Sequence, residues 1–221
     1  MGYWRRSRLR VLIATVGISL AGLAIVATVD GTVAKNTRLA VIELEPANSE
    51  IDFDLDGFPH QVHGKFKIVS GKVEVDPSSG ELSGLVVVDT ASGDSGNGLR
   101  DAEMRDSILG AQRYPQITFT PSHCQQAVAM LDRFRGPVRG TLALHGIKQE
   151  IEIDTEVLLQ GDEVKVSGHF VVPYVDWVLK DPSLLFLHVA KQVAINVHTQ
   201  GHLIWMQADE QNQRLSGGGS P

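Results

Sequence analysis

Several groups of side chains in this sequence have types and spacings that chemistry uses. Gly93-Asp94-Ser95-Gly96 imitates the surroundings of a serine-protease nucleophile, which needs a general-base imidazole and an acid to orient it. His60 and His63 lie upstream, but no protease-like context surrounds them and Asn97 stands where the motif's next glycine belongs. A Gly/Ser/Asp loop that caps a following helix explains the same residues. Asp52, Asp54, Asp56 and Gly57 open like a calcium-binding loop, yet the eighth position is Pro59 and the twelfth is His63 instead of a bidentate glutamate. The histidines pair as His60-x-x-His63 and His198-x-x-x-His202. Val193, Ile195, Val197 and Thr199 alternate around the second pair, so it rides on a strand, where four residues span about 13 Å, too far for one ion. These carboxylates and imidazoles read as solvated face and rim. Cys124 is the single cysteine, which excludes an intrachain disulfide and a cysteine-based zinc site. No catalytic residue, metal or cofactor is expected.

Strands must position whatever site there is. Glu50–Asp56 reads E-I-D-F-D-L-D, with Ile51, Phe53 and Leu55 on one side and the aspartates on the other. That period of two marks a strand with one wet face. It recurs at Lys72–Val75, Gln116–Thr120, Thr141–Leu144, Glu150–Asp154, Glu163–Val166 and Gln192–Val197. Turn-forming residues fall between, at Asp76–Gly80, Gly136-Pro137, His145-Gly146 and Gln160–Asp162. About eight short strands without alternating helices predict an all-β antiparallel sandwich or barrel. Leu99–Leu109 differs, carrying a rough helical stripe (Leu99, Ala102, Met104, Ile108, Leu109). Pro173–His188 is irregular and rich in large apolar side chains.

At 221 residues, 43% hydrophobic and 21% charged, the chain suits one soluble domain with extensions and is neither wholly disordered nor a multi-span membrane protein. The formal net charge is −6; residues 1–34 contribute +3 through Arg5, Arg6, Arg8, Arg10 and Asp30, so the rest carries −9. A body that acidic repels phosphate backbones, which argues against nucleic acid as a partner. Val11–Val29 is an uncharged run of nineteen residues behind the arginines, with small residues at Thr32-Val33-Ala34. That order predicts a signal peptide, while the length also suits an uncleaved anchor touching the membrane through residues 11–29. In both cases the body is exported, to the periplasm or outer side of the cell envelope. Arg5-Arg6 hints at twin-arginine export, which Ser7-Arg8-Leu9 fits poorly. The expected organisation is a signal or anchor over 1–34, a domain over 39–203, and a flexible tail over 207–221 ending in Ser-Gly-Gly-Gly-Ser-Pro.

An ordered series of short motifs resembles the YceI-like family of bacterial lipid- and polyisoprenoid-binding proteins. The series is Ser49–Phe53, Val62–Phe66 with Ser70-Gly71, Asn97–Arg105, Tyr114–Phe119 and Gly140–Gly146, spread in order over Leu39 to about Leu203. The resemblance implies a lipocalin-like extended antiparallel β-barrel with one short helix. It further implies an exported protein whose apolar tunnel holds a polyisoprenoid or fatty-chain amphiphile without catalysis. Three features depart from the family pattern. Asp56-Gly57 replaces a histidine often found there, Glu103 stands where the helix often has one, and Pro173–Val189 differs from the usual Asn-Arg element.

On that reading the inward parity supplies the wall: Ile51, Phe53, Leu55, Phe66, Ile68, Phe119, Leu142, Leu144, Ile151, Ile153 and Phe170, with Trp177 and Phe186 at the mouth. Core packing without ligand contact explains the same positions equally well. Arg100, Asp101 and Arg105 either serve function or pin the helix to the barrel through ion pairs. The alternatives are a hydrolase using Ser95 and a ligand-free envelope interaction module; a homodimer is compatible with either.

Overall fold

The computed structural model of this chain describes residues 38–207 except Pro59, 126–131 and 184–187. The expected signal or anchor, Phe186 and the polar tail beyond Gln207 lie outside the described residues. Among the described residues no helix is long and apolar enough to cross a membrane.

β1 (Arg38–Leu44) leads through a 3-10 turn (Pro46–Asn48) into β2 (Glu50–Leu55), β3 (Gly57–Phe58), β4 (Val62–Val75) and β5 (Leu82–Asp89). Helix α1 (Gly98–Glu103) runs on into one π-helical turn, Met104–Ile108. There follow β6 (Gln116–Cys124), β7 (Arg133–Leu144), β8 (Ile147–Gln160), β9 (Glu163–Val172), β10 (His188–Val189) and β11 (Val193–Gln207). β4 through β9 pair antiparallel with their sequence neighbours. β11 closes the cylinder, pairing with β9 on one side and with β2 and then β1 on the other. β4 also pairs with β2 at one end and β1 at the other. β1 and β2 therefore lie end to end in one wall position, giving a closed eight-position barrel.

The local sequence explains most of this. Asn97 Oδ1 accepts from the Arg100 N–H at 3.1 Å and so caps α1, which starts one residue before the predicted stretch. His145 (φ 52) and Gly146 (φ 77) both take the left-handed conformation that a tight two-residue hairpin turn requires. The Tyr114 ring packs 4.7 Å from the His145 ring and steadies that turn. Facing Phe53 in register is Gly64, where any Cβ would collide with the Phe53 ring. The missing side chain lets Phe53 lie along the wall.

Gly136-Pro137 does not form the expected turn: both residues lie inside β7. Among the described residues β6 pairs with β7 only from Val138 onward, so Pro137 sits where β7 is paired with β8. A residue without an N–H is tolerated at such a local edge. Pro121 is accommodated in β6 beside a shift of register between Pro121 and His123.

Inward side chains form two groups. One end is filled by Ala40, Ile42, Val75, Cys124, Phe134, Val157, Val164 and Leu203. Toward the other end Leu109, Leu142, Leu144, Val172, Tyr174 and Leu179 gather beneath α1 and the irregular segment after β9.

Candidate ligand-binding site in the barrel lumen

Between the two groups lies a cavity of about 650 Å³. From β2 it is lined by Ile51, Phe53 and Leu55, from β4 by Phe66 and Ile68, and from β6 by Phe119. Leu142 and Leu144 of β7, Ile153 of β8 and Phe170 of β9 complete that set. Two expected contacts fall elsewhere. Ile151 and Trp177 pack against the apolar group beneath α1 and are not part of the lining. For Trp177 the reason is the turn Tyr174–Val178, closed by Trp177 N–H to Pro173 O at 3.1 Å and Leu179 N–H to Tyr174 O at 3.0 Å. That turn sends Leu179 inward and leaves Val178, with φ 66, 80% exposed.

Among the described lining residues three are exposed, His60, Arg100 and Glu103, and they mark the mouth at the α1 end. Sequence parity could not find them, because they lie on α1 and a loop outside the strand alternation. Lys180 Nζ donates to Glu103 Oε1 at 2.6 Å, and Ser107 Oγ donates to Oε2 at 2.9 Å. The Lys180 bond first, then the Ser107 bond, holds the Glu103 carboxyl below its usual range. The expected ion pairs of Arg100, Asp101 and Arg105 do not reach the barrel wall: their bonds stay within the loop and helix. Arg100 Nε donates to Ser95 Oγ at 2.7 Å and Nη2 to Ser95 O at 2.9 Å, while Arg105 pairs with Asp106 at 2.9 Å. Lys180 supplies the tie across the mouth.

Ser95 Oγ donates to Asp101 Oδ1, which also accepts from the Ser95 N–H at 2.9 Å. The Ser95 bond is the main reason the Asp101 carboxyl is held low. No imidazole bonds Ser95 among the described residues, so the general-base geometry of a hydrolase is not assembled there. Tyr174 OH donates to Ala190 O at 2.7 Å, and burial pushes its hydroxyl pKa up.

The remaining candidates lie on the outer surface. Asp54 is bonded by His63 Nδ1 and by Asn196 Nδ2, the latter at 3.1 Å; His169 Nδ1 donates to Asn196 Oδ1 at 2.8 Å. Asp52 pairs in register with Lys65 on the same face, and Asp56 Oδ1 accepts from Gln61 Nε2 at 2.6 Å. His198 is exposed, and His202 sits between Glu45 at 2.8 Å and Asp162 at 3.4 Å. No three His, Cys, Asp or Glu residues among those described are arranged to hold a metal ion. Cys124 is buried in the closed end.

The sequence pattern of the YceI-like domain matches residues 43–201, the whole barrel from the end of β1 into β11. The chain belongs to the YceI-like family. Within it, a UPF0312 protein of Vibrio parahaemolyticus is 30% identical over 128 residues, 56% of this chain and 65% of that protein's length. A UPF0312 protein of Pectobacterium atrosepticum is 23% identical over 151 residues, 66% of this chain and 73% of its own. Among solved YceI-like folds, a polyisoprenoid binding domain from Saccharophagus degradans superposes with TM-score 0.59 at 21% identity, covering 77% of this chain and 100% of that domain. Burkholderia cenocepacia BcnA superposes with TM-score 0.59 at 23% identity, covering 71% and 98%. At these identities the two structures establish the shared fold.

Proposed function

We propose that this YceI-like barrel is an exported, non-catalytic carrier that holds one long-chain amphiphile in its lumen for transport, storage or sequestration in the cell envelope. The observation that carries the reading is the closed barrel with an apolar cavity of about 650 Å³ between a packed end and a polar mouth. A methylene is about the size of a water molecule, whose share of liquid volume is about 30 Å³, so the cavity accepts on the order of twenty carbons. Burying such a chain releases about 25 cal/mol per Å² of apolar surface, enough for firm binding with few polar contacts. The description of the Saccharophagus degradans domain as polyisoprenoid-binding supports a prenyl or fatty chain. The basic and then apolar order of residues 1–29 supports export.

Organic extraction of the purified protein followed by mass spectrometry tests this reading. A stoichiometric long-chain lipid is the expected result. Repeated extraction of empty protein that also takes up no added prenyl or fatty lipid overturns it.

A further inference from the structure

Apart from Ser95, held by Arg100 and Asp101 in the loop before α1, the polar side chains among the described residues of the lumen below the mouth are Tyr174, Thr155 and Thr199. Two have protein partners: Tyr174 OH donates to Ala190 O at 2.7 Å and Thr155 Oγ1 donates to Ile153 O at 3.0 Å. Thr199 has none. It is 5% exposed, lines the cavity, and its hydroxyl makes no hydrogen bond to any described residue. That hydroxyl opens onto the cavity instead of being sealed in the core, so its hydrogen-bond partner comes from whatever fills the lumen, water or ligand.

Its place in the wall gives this meaning. Thr199 stands in register with Val166 of β9, which stands in register with Val157 of β8. Val157 belongs to the packed end and Val166 lies against it, so the hydroxyl marks the deep end of the cavity. The chain positions that reach it are the ones that enter first. Among the described residues no charged side chain lines the cavity below His60, Arg100 and Glu103, so an ionised group at that depth would lack a counter-charge from them.

Resting on the carrier reading, we propose that Thr199 is a ligand-binding residue selecting lipids whose leading end carries an uncharged oxygen, a hydroxyl, carbonyl or ether. Its hydroxyl donates to that oxygen, and any charged or bulky group stays at the mouth beside Arg100 and His60. The lipid class is therefore a neutral oxygenated prenyl or alkyl chain inserted oxygen first, not a plain hydrocarbon end.

Competition against a bound fluorescent fatty acid compares all-trans-geranylgeraniol with the hydrocarbon of the same skeleton lacking the hydroxyl. The wild-type protein should bind the alcohol about fivefold to tenfold more tightly, the value of one neutral hydrogen bond. In Thr199→Val, which keeps the side-chain shape, that ratio should fall toward one; in Thr199→Ser it should persist. Thermal melting of all three proteins establishes that the variants are folded, and the wild-type ratio needs no variant. Equal binding of the two probes by the wild type, or a ratio unchanged in Thr199→Val, overturns the assignment while leaving the carrier reading intact. If neither probe displaces the fatty acid and none is taken up, the carrier reading itself has failed and the assignment falls with it.

Discussion

Lys180 Nζ lies 2.6 Å from Glu103 Oε1, joining helix α1 to a residue seventy-seven positions later in the segment after β9. The two elements flank the mouth, so this pair is the side-chain tie that spans the entrance. Both side chains are about half exposed, and exposed pairs add little to global stability. The restraint acts on entry and exit of the lipid. Lys180→Met should melt close to the wild-type temperature yet release a preloaded fluorescent long-chain fatty acid several-fold faster in stopped-flow mixing. Identical release rates would show that the mouth is set by the backbone alone.

The lumen can be blocked without touching the packed end. Val197 lines the cavity from β11, in register with Ile51 of β2 on one side and Gly168 of β9 on the other, so a larger side chain there projects into the lumen among Ile51 and Ile153. Val197→Trp should lower uptake of a prenyl or fatty lipid more than about tenfold, a loss on the order of 1.4 kcal/mol or more. Far-ultraviolet circular dichroism should keep its strand signal. Full uptake by this folded variant would place the ligand outside the barrel.

Phe134 is 1% exposed at the packed end, among Cys124, Val157 and Val164. Truncating a buried phenylalanine to alanine removes its transfer energy and leaves a void, about 3–5 kcal/mol in cores of this kind. Phe134→Ala should lose about that much in urea unfolding. A loss below about 1 kcal/mol would mean the packed end collapses around the gap.

His202 bonds Glu45 and faces Asp162, and the Glu45 bond first, then the two carboxylate charges, raises its pKa above the ordinary imidazole value of 6.5. A raised folded-state value means that the contribution is complete below 6.5 and fades as pH climbs through the raised value. Glu45, lowered first by Asn48 and then by His202, contributes above 4.5 and loses its part as pH falls through the lowered value. The clamp between the 3-10 turn and β11 is strongest between those limits. His202→Gln should therefore destabilise the protein more at about pH 5.5 than at about pH 8.5, read as the difference in melting temperature. An equal difference at both values would remove the charge from the account.

Legibility followed the wall. Period-two alternation in Glu50–Asp56, Thr141–Leu144 and Gln192–Val197 is forced by the pleat, so strand identity and inward parity could be read without coordinates. Applied fully, the same parity reaches Thr155 after Ile153 and Thr199 after Val197, the signal that singles out the deep hydroxyl. It could not separate lining from packing: Ile151 and Ile153 alternate identically, yet only Ile153 borders the cavity. Gly136-Pro137 misled because a turn preference is local, whereas Pro137 is tolerated by where β6 happens to end.

By itself the sequence determined alternating antiparallel strands, in a sandwich or barrel, with one capped helix, the tight turn at His145-Gly146, and a basic, apolar N-terminus on an acidic body. Tertiary structure alone decided that the cylinder closes through β11, with β1 and β2 sharing one wall position. It also decided that a cavity stays open between two packed apolar groups, and that Glu103 and Lys180 meet at its mouth. The physical reason is range. Side-chain direction along a strand is fixed by the backbone of its nearest neighbours, but an empty volume depends on how eight remote segments approach one another, which no short stretch encodes.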